Sequence, residues 1–328
     1  MPAKKSTMLY RPFLRDAWRL TWERKSLWIF GIFAALISTG GVVDVVWRAL
    51  EKVQRTESLL ENLADSSFMG YDVAASYIGQ LATLGPERTS FIVIVSTLMG
   101  ILLVIIATLS QGALLLGIRH KAHQDPYALR QQAGRHFWSL FLVGLLNKLL
   151  ILLLVVLMTL PLLLISLSTS LGHGILFFLL MLVFIPASII VNIIYMFSLI
   201  DIVEADSHPL GAIHTAARLF AKQWLATFEY GVIIFFAVFG AGLLFLILIS
   251  LLVVPLSVVY ATALLSGSFS LYLAFNIVSV CLLFALLLTF IGACVTFQYS
   301  AWFHFYKHGL HKTHGKKHFS KLMRLLGR

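Results

Sequence analysis

Residues 141–156 read FLVGLLNKLLILLLVV, with a single charge, Lys148, inside an otherwise apolar run. Followed outward, the run extends from Phe137 to Ser168 without another charge. That exceeds the ~20 residues a helix needs to cross ~30 Å of hydrocarbon. Hydrocarbon supplies no hydrogen-bond partner to a backbone, so a spanning segment must be a helix or part of a closed barrel. The run is continuous and does not alternate apolar with polar, which excludes the barrel. The chain therefore reads as all-α and membrane-embedded.

The composition agrees. Of 328 residues, 59% are hydrophobic and 12% charged, and the mean hydropathy is +0.92. Soluble domains are nearer half apolar and about a quarter charged. Six apolar segments emerge: Leu27–Val46, Phe91–Ile118, Phe137–Ser168, Ile175–Ile200, Tyr230–Val259 and Ser270–Phe305. Several exceed bilayer length and are expected to tilt or project from it. Pro161, Pro186, Pro255 and the Gly40-Gly41 pair are expected to kink or end helices locally. Charges fill positions 11–25 and no small-residue cleavage site follows the first run, so it reads as an uncleaved first span.

Lys and Arg fall mostly on one side of this six-span plan. Residues 1–26 carry seven, the connection 119–136 four, the connection 201–229 two, and the tail 306–328 seven. The opposite side has four, all in the first connection, 47–90. The positive-inside rule then puts both termini in the cytoplasm, with 27–305 as the membrane domain. The 47–90 connection has mixed charge and helical apolar spacing at Leu50, Val53, Leu59, Leu60 and Leu63, which predicts an amphipathic helix on the outer face. Cys281 and Cys294 lie thirteen residues apart on the last span, roughly 20 Å along one helix, too far to bond within it.

Two basic connections read alike. DPYALRQQAGRHFW (125–138) and HPLGAIHTAARLFAKQW (208–224) each carry Ala seven and Arg nine residues after a Pro: Pro126, Ala133, Arg135 and Pro209, Ala216, Arg218. The N-terminal RPFLRDAWRLTWERKSLWIFG (11–31) has the same character with looser spacing. The pattern predicts three units, each a basic interfacial helix followed by a two-helix hairpin. Arg meets lipid phosphate while its stem lies on apolar surface, and Trp sits at headgroup level.

AWRLTWERKSLWIFGIFAALI (17–37) and EADSHPLGAIHTAARLFAKQW (204–224) carry a resemblance to a family of bacterial six-span proteins. Their domain is named for the membrane portion of some glycerophosphoryl diester phosphodiesterases. The catalysis of such enzymes belongs to a separate soluble barrel, for which this chain has no room. The resemblance implies a bacterial cytoplasmic-membrane domain, and it does not imply phosphodiesterase activity.

Candidate chemistry starts with Lys148. A charge at mid-membrane costs at least ~2.5–3.5 kcal/mol and is usually paired or functional. If the span begins at Trp138, Lys148 lies about 15 Å deep and, with Asn147, is placed to bind an anionic headgroup. If Leu149–Ser168 is the span, Lys148 snorkels at the cytoplasmic boundary; this second reading is the favoured one. Arg19, Arg135 and Arg218 are the matching headgroup candidates on the three entry helices. Asp201, Glu204 and Asp206 follow the fourth span and are expected to cap the next helix or pair with Arg218 or Lys222. His120, His123 and Asp125, and the tail histidines His308, His311, His314 and His318, are weak metal candidates without a visible second shell. The basic tail is expected to lie on anionic lipid. Asp44 reads as interfacial. Gln111, Asn192 and Asn276 read as interhelical hydrogen-bonding groups, and the small residues around Gly240-Ala241-Gly242 and Gly292-Ala293 as close-packing sites.

No nucleophile elbow, phosphate loop, zinc-protease motif or dinucleotide fingerprint occurs. The leading expectation is a non-enzymatic, cofactor-free membrane module that binds anionic lipid and scaffolds or passes lipids or protein partners, including a second copy. Nucleic acid is not expected as a partner. A small-molecule or ion transporter is the runner-up, and an intramembrane lipid-modifying enzyme the third class.

Overall fold

A computed structural model describes residues 10–36, 79, 85–119, 125–165, 172–265 and 267–310. Among these residues every regular element is a helix. The helices are α1 (Arg11–Glu23), α2 (Leu27–Ala35), α3 (Pro86–Arg119), α4 (Pro126–Arg135), α5 (Phe137–Ile165), α6 (Gly172–Ala205), α7 (Pro209–Lys222), α8 (Trp224–Leu265) and α9 (Phe269–His304). A wide π-helical turn, Phe305–Leu310, continues α9.

Five stretches are long and apolar enough to cross a membrane: Glu87–Arg119, Phe137–Leu157, Leu182–Ala205, Trp224–Leu265 and Phe269–Gly309. The protein is a multi-pass integral membrane protein. Of the first expected span, Leu27–Val46, the description reaches Leu36. Asp44, the Gly40-Gly41 pair, His120, His123, His311, His314, His318 and nearly all of the 47–90 segment lie outside the described residues. The segment's last residues belong to α3, which Pro86 opens in its first turn.

The helices overrun their hydropathic limits. α6 continues through Asp201 and Glu204 to Ala205, so these acids belong to its last turns and do not follow it. α8 begins at Trp224, six residues before the expected Tyr230. Hydropathy marks where a chain meets lipid, whereas a helix ends where its backbone loses i to i−4 partners. Asp206 supplies one such end, with φ +51° in the left-handed region that Asp tolerates. Pro186 and Pro255 sit inside continuous helices α6 and α8 and end neither of them.

The three short helices share one construction. α1, α4 and α7 each carry a proline in the first turn, namely Pro12, Pro126 and Pro209. Each stops at one turn of non-helical backbone, at Arg24, His136 and Gln223, whose N–H groups reach back to the carbonyls of Leu20, Ala133 and Leu219. Each buries completely an alanine (Ala17, Ala133, Ala216, all 0% exposed; α7 also buries Ala212) and exposes the arginine two residues later (Arg19, Arg135, Arg218). The small methyl lets the backbone lie close on its neighbour. At α4, a Cβ built on Gly112 of α3 would stand 3.2 Å from the Ala133 methyl.

Packing follows a cycle. The remaining helices pair as α2 with α3, α5 with α6, and α8 with α9. α4 lies on α3, α7 on α6, and α1 on α9. Each short helix thus covers the basic end of the span before it, with α9 standing before α1. The α2–α9 contact closes the cycle, and Gly31 and Gly292 set its closeness. A Cβ at Gly31 would meet the Gly292 carbonyl oxygen at 2.6 Å, and one at Gly292 would meet the Trp28 carbonyl oxygen at 2.6 Å. The expected close packing holds for Gly292. Among the described residues nothing stands within 4 Å of a Cβ built on Gly240 or Gly242.

The core sits at the basic end. α3 is exposed on every side from Ser90 to Ile105, then buried from Ala107 to Ile118 at every position except Leu109. The buried centre is aromatic: Tyr230 stacks on Phe305 at 4.2 Å, and Trp302 meets Tyr230 edge-on at 5.6 Å and Phe197 at 5.7 Å. Lipid tails are as apolar as these side chains, so close dispersion contact between aromatic rings, more than exclusion from water, holds such a core in a bilayer.

Candidate functional site

Three groups of polar residues carry whatever chemistry the fold offers. The first is a lattice at the basic end that uses some cations internally. Glu204 on α6 contacts Lys307 beyond α9 and lies 3.6 Å from the Arg119 guanidinium of α3, a Coulombic distance rather than a hydrogen bond. Arg119 also donates to the Val203 carbonyl at 2.6 Å, and Arg24 to the Gly117 carbonyl at 2.7 Å. These carbonyls belong to the last turns of α6 and α3, where helix ends leave acceptors unfilled and carry partial negative charge. Asp201 is buried and accepts from Tyr306 at 2.7 Å and Ser207 at 2.8 Å. Tyr10 donates to Glu229 at 2.6 Å, tying α1 to α8.

The expected pairing of Asp201 and Glu204 with Arg218 or Lys222 does not occur. α7 turns Ala212, Ala216 and Leu219 inward, so Arg218 and Lys222 face outward. Asp206 instead lies 3.4 Å from His136 at the start of α5. The role foreseen for the acids, structural ion pairing, is kept with other partners. Sequence spacing foresaw none of Arg119, Lys307, Tyr306 or Ser207 as those partners, because the contacts cross between helices far apart in the chain.

The second group is the exposed basic surface. Arg11, Arg15, Arg19 and Lys25 near α1, Arg130 and Arg135 on α4, and Arg218 and Lys222 on α7 are all exposed. Arg19 lies 3.4 Å from Glu23 one turn on, an exposed pair of small energetic value. Trp18, Trp22, Tyr127, Trp138 and Trp224 are exposed among these cations. The sequence candidates Arg19, Arg135 and Arg218 thus occupy three separate helices at one end of the bundle. They form a face and do not converge on one point.

The third group lies deeper. Gln111 of α3 donates to the Tyr299 hydroxyl of α9 at 3.1 Å and accepts from the Tyr195 hydroxyl of α6 at 3.2 Å. Gln111 is therefore the interhelical link expected of it, joining three helices. Asn192 is not: its amide donates within its own helix to the Ser188 carbonyl at 2.9 Å. Asn276 is half-buried on α9. Asn147 is 6% exposed, and neither its amide nitrogen nor its oxygen has a hydrogen-bond partner. Its neighbour Lys148 is half-buried, within the continuous helix α5 and eleven residues past its start at Phe137. The tyrosines of this cluster were missed in the sequence because Tyr in an apolar helix reads equally as an interfacial residue.

No protein-family model, curated protein or solved structure matches this chain. The resemblance drawn above therefore rests on the quoted residues alone. Among the described residues no three His, Cys, Asp or Glu side chains are grouped to hold a metal ion. His308 stacks on His304 with ring centroids 6.0 Å apart. Cys281 is exposed and Cys294 buried, both as free thiols.

Proposed function

We propose that this protein is a non-enzymatic module of a bacterial cytoplasmic membrane. In this reading it binds anionic lipid through its basic face and scaffolds or passes lipid or protein partners. Both termini lie on the cytoplasmic side, and the chain is three copies of an entry helix with a two-helix hairpin. The first span is completed beyond Leu36, giving six.

The observation that carries the reading is the division of labour among the cations. Arg24, Arg119 and Lys307 serve helix ends and Glu204, whereas eight exposed cations, all but Arg88 of those described, lie on or beside three amphipathic helices among exposed indole rings. That is the chemistry of an anionic headgroup layer, to which each Lys or Arg near the surface contributes about 1 kcal/mol. The repeat is supported by the shared Pro start, the buried Ala, the exposed Arg two residues on, and the cyclic packing. Lys148 belongs to this reading as a deeper headgroup contact.

Native mass spectrometry of the full chain from mild detergent tests it, with added phosphatidylglycerol beside phosphatidylcholine. The Arg19→Gln, Arg135→Gln, Arg218→Gln triple variant should lose phosphatidylglycerol by roughly 100-fold in affinity, three contributions of about 1 kcal/mol each. Lys148→Ala reads the deeper contact separately. Equal retention of both lipids by wild type and triple variant would sink the proposal. Substrate-dependent flux in liposomes would favour a transporter instead, and a mass change in added lipid an intramembrane enzyme.

A further inference from the structure

Asn147 is a carboxamide, 6% exposed, with two donors and two acceptor lone pairs and no partner. A buried polar group without a partner is uncommon and costly. Its position says what surrounds it. On α5 the buried stripe runs Leu140, Val143, Asn147, with Gly144 beside it. Leu140 packs against Gly112 of α3, and a Cβ at Gly144 would stand 3.7 Å from the Tyr195 hydroxyl. Asn147 is one helical turn beyond Gly144 toward the opposite end of the bundle, and Asn192 is one turn beyond Tyr195 on the antiparallel α6. The neighbouring polar chain runs from Tyr195 through Gln111 to Tyr299, whose own proton meets no acceptor among the described residues. α3 and α6, both packed on α5, thus carry amide and hydroxyl groups within about one helical turn of the unpartnered carboxamide. Ten residues from the start of α5 set Asn147 about 15 Å along that helix.

We infer that this level of the bundle, centred on Asn147, is a binding site for an uncharged, hydroxyl-bearing group. A hydroxyl can donate to the amide oxygen and accept from the amide N–H, so one such group meets both kinds of capacity of the carboxamide. Gln111, Asn147 and Tyr195 themselves carry no charge to select an ion. Two sources share the chemistry: a lipid with a free hydroxyl beside its acyl chains, and a small water-soluble polyol. The site is separate from the exposed arginine face and stands or falls independently of it.

The test is thermal unfolding of the full-length protein in detergent, with dioleoylglycerol or millimolar glycerol as probe. The variant is Asn147→Leu, close to isosteric, with Asn147→Val as a second should the first not fold. Dioleoylglycerol is expected to raise the wild-type Tm saturably, with apparent affinity at least tenfold weaker in the variant. A saturable shift with glycerol alone, lost in the variant, supports the same site with a soluble ligand. Without ligand, the variant's Tm should equal or exceed that of wild type, since an unpartnered amide has been removed. A ligand-free Tm lowered in both variants shows that the amide is bonded within the protein, and overturns the inference. So does the absence of a saturable shift with either probe, which leaves water as the occupant, or a shift that the variant retains.

Discussion

Gly292→Ala is the most informative single substitution in this fold. The added Cβ would stand 2.6 Å from the Trp28 carbonyl oxygen and 3.0 Å from Ile32 Cγ1. A carbonyl within α2 cannot rotate aside, so α2 and α9 must separate by about 0.8 Å to regain ordinary contact. A gap of that size forfeits a quarter to a half of the dispersion energy along the seam, and overpacking of this kind typically costs about 1–3 kcal/mol. At roughly 2–4 °C per kcal/mol for chains near 200 residues, the Tm should fall by about 5 °C. The assay is fluorescence-monitored unfolding in detergent. Gly240→Ala is the control, since among the described residues nothing lies within 4 Å of its added Cβ and helix propensity alone favours Ala. Gly31→Ala meets the reciprocal carbonyl at 2.6 Å and should match Gly292→Ala. Equal Tm values for the Gly292 and Gly240 variants would refute the close α2–α9 crossing, and with it the closed cycle of helices.

Other expectations follow from the polar contacts. Gln111→Leu leaves the Tyr195 and Tyr299 hydroxyls without their shared partner and should cost about 1–3 kcal/mol, read as a lowered Tm. Glu204→Gln removes the charge between Arg119 and Lys307 and should cost about 1–2 kcal/mol, more at low salt than at high. Arg218→Gln and Lys222→Gln should leave the Tm within about 0.5 kcal/mol of wild type, which separates the observed partners of the acids from those the spacing suggested. The rings of Tyr10 and Phe305 lie 6.3 Å apart. A circular permutant that links Leu310 to Tyr10 through a short flexible linker and opens the chain between Arg119 and Asp125 should therefore insert and elute as a monodisperse peak. Aggregation on gel filtration would contradict the cyclic arrangement of the three hairpins.

The sequence by itself determined the helical, membrane-spanning class, because long charge-free runs admit only one way to satisfy their backbone in hydrocarbon. It also located the basic end and the proline-led entry helices, since Pro, Ala and Arg recur at fixed offsets in two of them and with looser spacing in the N-terminal one. Gln111 was legible as a polar residue that an apolar helix must satisfy elsewhere. Only the tertiary structure decided which partners satisfied it, and that Asn147, outwardly similar, had none. The acids show the same limit: Asp201 and Glu204 were visible, but Tyr306, Arg119 and Lys307 reach them across helices whose rotation no hydropathic pattern specifies. Glycine is the sharpest case. Gly240 and Gly292 look alike in sequence, and Gly292 lies against a carbonyl while a Cβ on Gly240 meets nothing within 4 Å among the described residues. Apolar periodicity is silent where both lipid and protein interior are apolar, so the faces of these helices were chosen by close packing and hydrogen bonding between them.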